Sequence, residues 1–142
     1  MRLDLSSLNR AIAQIEGGLR YHDSDLAQRD EQLRKHLRAA AIQAFELTYE
    51  LSHKMLRRSL RATEPNPAEV ASLDFPALIR LGTQRGLLRA ELAQWKSFRS
   101  SRGATIHAYA EGMAEEVFEA IPPFLDEAKF LLSELERRNI EL

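Results

Sequence analysis

The chain has 142 residues, 44% hydrophobic and 29% charged, proportions expected of one soluble globular domain spanning residues 1–142 and long enough to bury a core. The absence of cysteine excludes disulfides, thiolate metal ligands and cysteine nucleophiles, and agrees with a reducing, cytoplasmic setting. Lys and Arg total 20 and Asp and Glu total 21, so the net charge is −1. That balance excludes a global attraction to nucleic acid or membrane, and any polyanion-binding surface must be built by local clustering.

The first periodic segment runs from Leu5 to Leu19. Its apolar positions Leu5, Leu8, Ala11, Ile12, Ile15 and Leu19 fall on one stripe of an amphipathic helix, and Gly17-Gly18 weakens its end. Asp23-Ser24-Asp25 offers capping oxygens for a second helix, expected from about Asp25 to Leu60 on the stripe Leu33, Leu37, Ala41, Ala44, Phe45, Thr48, Leu51, Met55 and Leu56. Thr63-Glu64-Pro65-Asn66-Pro67 ends it, since proline lacks the N–H that a helical ladder needs.

Asp74-Phe75-Pro76 is an N-cap followed by proline in the first turn of a third helix, which ends near Gln84 with Gly86 placed to take a positive φ. A fourth helix is expected from about Arg89 to Ser100, with Trp95 and Phe98 in the core, and an interruption over Ser100–Gly103. The last, roughly Ala110 to Arg138, carries an apolar stripe from Met113 to Leu135, and Pro122-Pro123 should kink or restart it. The longest apolar runs, such as Phe130-Leu131-Leu132, are far short of a membrane span, and the N-terminus lacks the apolar core of a signal peptide. The expected architecture is all-α, an antiparallel bundle of four to five helices.

One segment carries a chemical pattern. In Arg102-Gly103-Ala104-Thr105-Ile106-His107-Ala108-Tyr109, a permanently charged guanidinium precedes an imidazole that titrates near neutrality. Together they suit metal-free RNA cleavage: His107 would move a proton at the ribose 2′-hydroxyl or the leaving oxygen, and Arg102 would hold the scissile phosphate. Residues five apart on an unbroken helix point about 140° apart. Convergence of Arg102 and His107 therefore calls for a turn, to which Gly103 is suited, or for a site shared by two chains.

Lys96 and Arg99 precede Arg102 at three-residue spacing, candidates for phosphate binding within a stretch from Arg80 to Arg102 that has six cations against Glu91 alone. On the second helix Glu46 and Glu50 stand one turn apart and His53 and Arg57 continue their side. These either line a cleft and orient His107 or form a salt-bridged surface in which Glu50 pairs with Lys54. The four histidines lack the spacing of a helical metal site, so no metal or other cofactor is expected.

The chain as a whole resembles the HEPN proteins known as nucleotidyltransferase substrate-binding proteins, or HepT-type toxins. The resemblance rests on Phe45-Glu46-Leu47-Thr48-Tyr49-Glu50-Leu51, on Trp95 seven residues before Arg102, and on Arg102 through Tyr109 followed by Ala114-Glu115-Glu116-Val117-Phe118. It implies a helical homodimer in which the Arg and His motifs of both chains meet in a cleft. It further implies a toxin–antitoxin pair: a metal-independent endoribonuclease silenced when a cognate minimal nucleotidyltransferase attaches AMP to the motif tyrosine, here Tyr109. Gly103 and Ile106 stand where the family usually has polar residues, and His53 where Trp is common. The alternative is a non-catalytic subunit that presents a substrate or nucleotide to the nucleotidyltransferase; a third is a purely structural helical dimer. The chain lacks the Gly-Ser and aspartate-pair pattern and the Gly-rich phosphate loop needed to be a nucleotidyltransferase itself.

Overall fold

The computed structural model describes residues 1–105 and 111–142, and among these the regular structure is helical throughout: α1 (Ser6–His22), α2 (Asp25–Arg29), α3 (Glu31–Thr63), α4 (Pro67–Ser72), α5 (Phe75–Gln84), α6 (Leu92–Ala104) and α7 (Glu111–Arg138). The long helix α3 is the axis of the bundle. It packs against α1 and α7, while α6 lies on α7 and against the same flank of α3. One continuous apolar core runs between them, from Leu8, Ile12 and Ile15 of α1 through Phe45 and Leu56 of α3 to Phe124, Leu131 and Leu135 of α7. Among the described residues no helix is long and apolar enough to cross a membrane.

Local chemistry sets most boundaries. Asp74 accepts from the Ala77 N–H at 3.0 Å, with proline in the first turn of α5 as expected. At the other end of α5, Gly86 adopts φ +76°, and the Leu87 and Gly86 amides donate to the Gly82 and Thr83 carbonyls, a Schellman closure that needs the left-handed residue.

Three expectations are corrected. The segment from Asp25 is not one helix: Asp30 leaves helical dihedrals and its carboxylate accepts from the Leu33 N–H at 3.1 Å, so a cap separates α2 from α3. The proline-rich break contains a helix of its own, because Asn66 caps α4 at the Glu69 N–H with Pro67 in its first turn. The interruption expected over Ser100–Gly103 does not occur. Gly103 is helical, and α6 begins later than anticipated and continues to Ala104. A single helical glycine costs only about 1 kcal/mol, less than the burial of Trp95 and Phe98 supplies to the same helix.

The last helix does not restart at Pro122-Pro123. Both prolines are exposed while Ile121 and Phe124 beside them are fully buried, so the carbonyls left without a donor lie on the wet side. Its start, expected at Ala110, falls outside the described residues.

The placement of α6 depends on a buried carboxylate. Glu127 of α7 is 3% exposed and accepts three hydrogen bonds: from the Arg89 N–H at 3.0 Å, the Ala90 N–H at 2.6 Å and the Trp95 indole N–H at 3.0 Å. It thereby ties the chain between α5 and α6 to α7 and sets the depth of Trp95. Removing the acceptor would strand all three donors. Glu127→Ala is expected to lower unfolding stability by about 3 kcal/mol, read as a lower midpoint in urea melts, with Glu127→Gln losing less because its amide oxygen still accepts.

Candidate functional site

Trp95, Phe98 and Arg102 lie at i, i+3 and i+7 of α6, so they share one face. Trp95 and Phe98 are buried in an aromatic cluster with Tyr49 and Phe124. The Trp95–Phe98 centroids are 5.5 Å apart and Phe98–Phe124 5.3 Å, both edge to face. The same face therefore carries Arg102 toward α3, where its side chain is 30% exposed. There its Nη2 pairs with Glu50 and stands 3.6 Å from a Glu46 carboxylate oxygen. Among the described residues Nη1 and Nε of Arg102 have no partner. The two glutamates thus hold one corner of the fork and leave its other donors open.

Thr105 completes the arrangement. Its hydroxyl donates to the Arg102 carbonyl at 2.7 Å and lies 3.3 Å from Glu46, closing the end of α6 onto α3. The structure therefore brings Arg102, Glu46 and Glu50 together. The surface pairing of Glu50 with Lys54 is replaced by the pairing across helices. His107 and Tyr109, with Ile106, lie outside the described residues.

Two cavities adjoin this cluster, the first lined by Glu46 and Thr105 and the second by Arg102 and Glu50. One, of about 700 Å³, is lined by Lys35, Arg38, Gln43, Glu46, Thr105 and Ala114 among others. The second, of about 650 Å³, is bounded by Tyr49, Glu50, His53 and Arg57 of α3, by Leu73, Asp74 and Phe75, and by Arg99, Arg102 and Gly103 of α6. His53 lies here as the stripe with Glu50 implies, its ring 6.2 Å from that of Phe75 and within 15° of parallel. Arg99 places its guanidinium 4.6 Å from the centre of the Phe75 ring.

Lys96 is exposed and does not line this cleft. The basic run from Arg80 does not form one surface. Arg85 is bound by Glu64 at 2.8 Å, and Arg89 lies over the Phe130 ring at 4.5 Å, both near the turn between α5 and α6. Antiparallel packing of α5 and α6 sends Arg85 and Arg89 to one end and Arg99 and Arg102 to the other. Among the described residues no three His, Cys, Asp or Glu side chains gather as a metal site.

Phe75 is the site residue that the sequence did not single out, because an aromatic after an N-cap reads as core. Two pKa shifts mark the cleft. Burial raises the Tyr49 hydroxyl, with Arg99 and Arg102 acting in the opposite sense. Burial also holds the His53 imidazole below its ordinary 6.5, and the charges of Arg57 and Arg99 act in the same direction.

With this geometry in view, a profile of the family described as "Nucleotidyltransferase substrate binding protein like" matches residues 3–137. The chain belongs to this family. A curated relative from Haemophilus influenzae named "Probable ribonuclease HepT" is 37% identical over 101 residues, 71% of this chain and 68% of the relative. A solved Haemophilus influenzae structure, described as revealing the fold of a substrate binding domain of a nucleotidyltransferase, superposes with a TM-score of 0.85. It is 32% identical, and the match covers 94% of this chain and 99% of that one. The all-α bundle is thus the family's fold.

A depressed His53 pKa has a consequence for stability. Between the folded midpoint and 6.5 the unfolded chain binds the proton more readily, so His53's contribution is intact above 6.5 and is lost as pH falls toward the folded midpoint. His53 is expected to titrate below 6.5 by NMR. Urea melts across that window should lose less stability on acidification in His53→Gln than in wild type.

Proposed function

We propose that this protein is the HEPN component of a toxin–antitoxin pair, a metal-independent endoribonuclease that works as a homodimer and is silenced by adenylylation of Tyr109. The observation that carries this reading is the open part of Arg102: a half-buried guanidinium lining a cleft and held at Nη2 by Glu46 and Glu50, its Nε and Nη1 without a partner among the described residues. The family relationship, and a relative named as a probable ribonuclease, support it.

In the proposed reaction the ribose 2′-oxygen attacks the adjacent phosphorus, the bond from phosphorus to the 5′-oxygen breaks, and a 2′,3′-cyclic phosphate and a 5′-hydroxyl are left. The 2′-hydroxyl proton is taken up and a proton is given to the 5′-oxygen. His107 is assigned a proton-transfer role, and Arg102 stabilises charge on the non-bridging oxygens. Glu46 and Glu50 act through Arg102 as positioning residues. Because a continuous helix turns Arg102 toward α3, the His107 that serves a given Arg102 need not come from the same chain, which is the reason for proposing a dimeric site.

Silencing is assigned to the cognate minimal nucleotidyltransferase. A bond forms between the Tyr109 oxygen and the α-phosphorus of ATP, the α–β anhydride breaks, and pyrophosphate and a proton leave. An anionic adenylyl group close in sequence to Arg102 and His107 would compete with RNA for the cation and fill space the substrate needs.

The second reading, a non-catalytic subunit that presents substrate or nucleotide to the nucleotidyltransferase, is favoured by the carboxylates already engaging Arg102 and by the substrate-binding role ascribed to the solved relative. The test is cleavage of a mixed RNA pool by purified, unadenylylated protein in EDTA. Wild type is expected to cleave and to leave 2′,3′-cyclic ends. Arg102→Ala and His107→Ala should each lose about 100-fold or more. Treatment with the nucleotidyltransferase and ATP should add AMP and abolish cleavage in wild type, but leave Tyr109→Phe active. A folded, dimeric, unmodified wild type that leaves RNA intact would overturn the nuclease reading and favour the binding-subunit one.

A further inference from the structure

The cleft beside Arg102 has a composition that cleavage alone does not require. Of the charged side chains lining it, three are committed within the chain. Glu50 binds Arg102, Asp74 caps α5, and Arg57 donates to the Val70 and Leu73 carbonyls at 2.9 and 3.0 Å. Arg102 keeps part of its fork open. Arg99 differs from all of these, having no carboxylate and no hydrogen-bond acceptor among the described residues; its guanidinium rests over Phe75 alone.

An aromatic face can hold a guanidinium in place without consuming its N–H groups, so Arg99 is both oriented and unspent. Three residues before Arg102 on α6, it sets a second cation about one turn from the first. Beside it the stacked His53 and Phe75 rings, 6.2 Å between centroids and within 15° of parallel, give the lining aromatic surface, and the cleft's volume of about 650 Å³ falls in the range of roughly 300–1,000 Å³ usual for small-ligand sites. Two cations one helical turn apart in sequence beside aromatic rings match a unit that repeats one anionic and one planar group.

We propose that this cleft is a nucleotide subsite for a single-stranded RNA, taking the residue next to the phosphate held by Arg102, with its base against the His53 and Phe75 rings and its own phosphate on Arg99. This rests on Arg102 being the phosphate ligand proposed above, and names the form in which RNA is bound. Stacking on rings is open to any base, whereas a duplex keeps its bases stacked on one another. The subsite therefore selects unpaired strands with little sequence preference.

The probe is a fluorescein-labelled hexanucleotide with every ribose 2′-O-methylated, which cannot undergo attack by a 2′-hydroxyl and so separates binding from cleavage. Anisotropy titrations of the full-length protein are expected to show binding weakened about tenfold by Phe75→Leu and by Arg99→Gln, and a single-strand preference over the same sequence in a duplex. Phe75→Leu keeps apolar volume in case loss of the ring threatens folding, and thermal melts check both variants. The His53 ring-proton resonances should shift on addition of the probe to wild type.

Folded variants that bind as wild type does, no binding by wild type, or equal affinity for the duplex would each overturn the subsite. Free AMP binding as tightly as the hexanucleotide, with the same dependence on Phe75, would overturn the assignment to an RNA strand and make the occupant a mononucleotide. Phe75-dependent binding by a protein that cleaves no RNA in EDTA would uphold the subsite while removing the nuclease reading. Cleavage unchanged in Phe75→Leu and Arg99→Gln, with probe binding also unchanged, would uphold the nuclease and remove the subsite.

Discussion

The rotation of α6 about its own axis is the constraint on which the rest of the site depends. Burial of Trp95 and Phe98 against Tyr49 and Phe124 gives that rotation its driving force, and the indole N–H seated on Glu127 fixes its register. A helix with two large aromatics at i and i+3 has one orientation that buries both, and in that orientation the residue at i+7 also points inward. Here that residue is Arg102. It reaches α3 where the core has given way to the more exposed Glu46 and Glu50, so a residue on an apolar face ends in a pair of carboxylates instead of in oil. Rotation by one position would leave Trp95 partly wet and Glu127 without its indole donor, and would point Arg102 away from α3.

The electrostatics follow from the same packing. With 20 basic and 21 acidic side chains, the chain has almost no net field, so what matters is which charges neutralise each other locally. Arg85, Arg89 and Arg138 are engaged around the end of α5, by Glu64, by Phe130 and the Asp126 carbonyl, and by Glu134. Arg38 pairs with Glu115 at the other cavity. Among the described residues, what remains in the cleft is Arg99, with no carboxylate partner, and the open part of Arg102, close to a histidine whose pKa burial lowers. A nearly neutral protein can thus present a small region of unspent positive charge, which attracts phosphate at short range and little else at long range.

Much of this was legible in the residues, for identifiable reasons. The stripes of α1, α3 and α7 show because each helix buries one face only, and the end of α5 shows because Asp74, Pro76 and Gly86 each have few other uses. The split at Asp30 was hidden because a capping aspartate inside a long helical pattern also resembles an exposed helical residue. Helix α4 was hidden because prolines signal a break more loudly than a start. Gly103 misled in the other direction: the freedom it offers is unused, since the tertiary burial of α6 outweighs its local preference. Glu127 had no signal at all, for a glutamate in an amphipathic helix is ordinarily solvated, and only the fold shows three donors converging on it. Of the site itself, Arg102 and the Glu46–Glu50 stripe could be named from spacing. Their pairing across two helices could not; the role proposed for His107 was read from an imidazole following Arg102 in the same segment, and that of Tyr109 from family resemblance alone.

The two glutamates invite the objection that an arginine already paired is a poor ligand for phosphate. The geometry answers it. Both carboxylates approach Nη2, so the N–H groups on Nε and Nη1 are still free among the described residues to donate to phosphate oxygens. An arginine without such anchors would sample many rotamers and lose that entropy on binding; one held at a corner has lost it already. The anchors do reduce the net charge that an approaching polyanion meets, weakening long-range attraction to nucleic acid in general. In the proposed site the same exchange gives a use to Arg99, which has no carboxylate partner among the described residues. Arg99 can supply attraction that Arg102, fixed in place by Glu46 and Glu50, gives up for orientation.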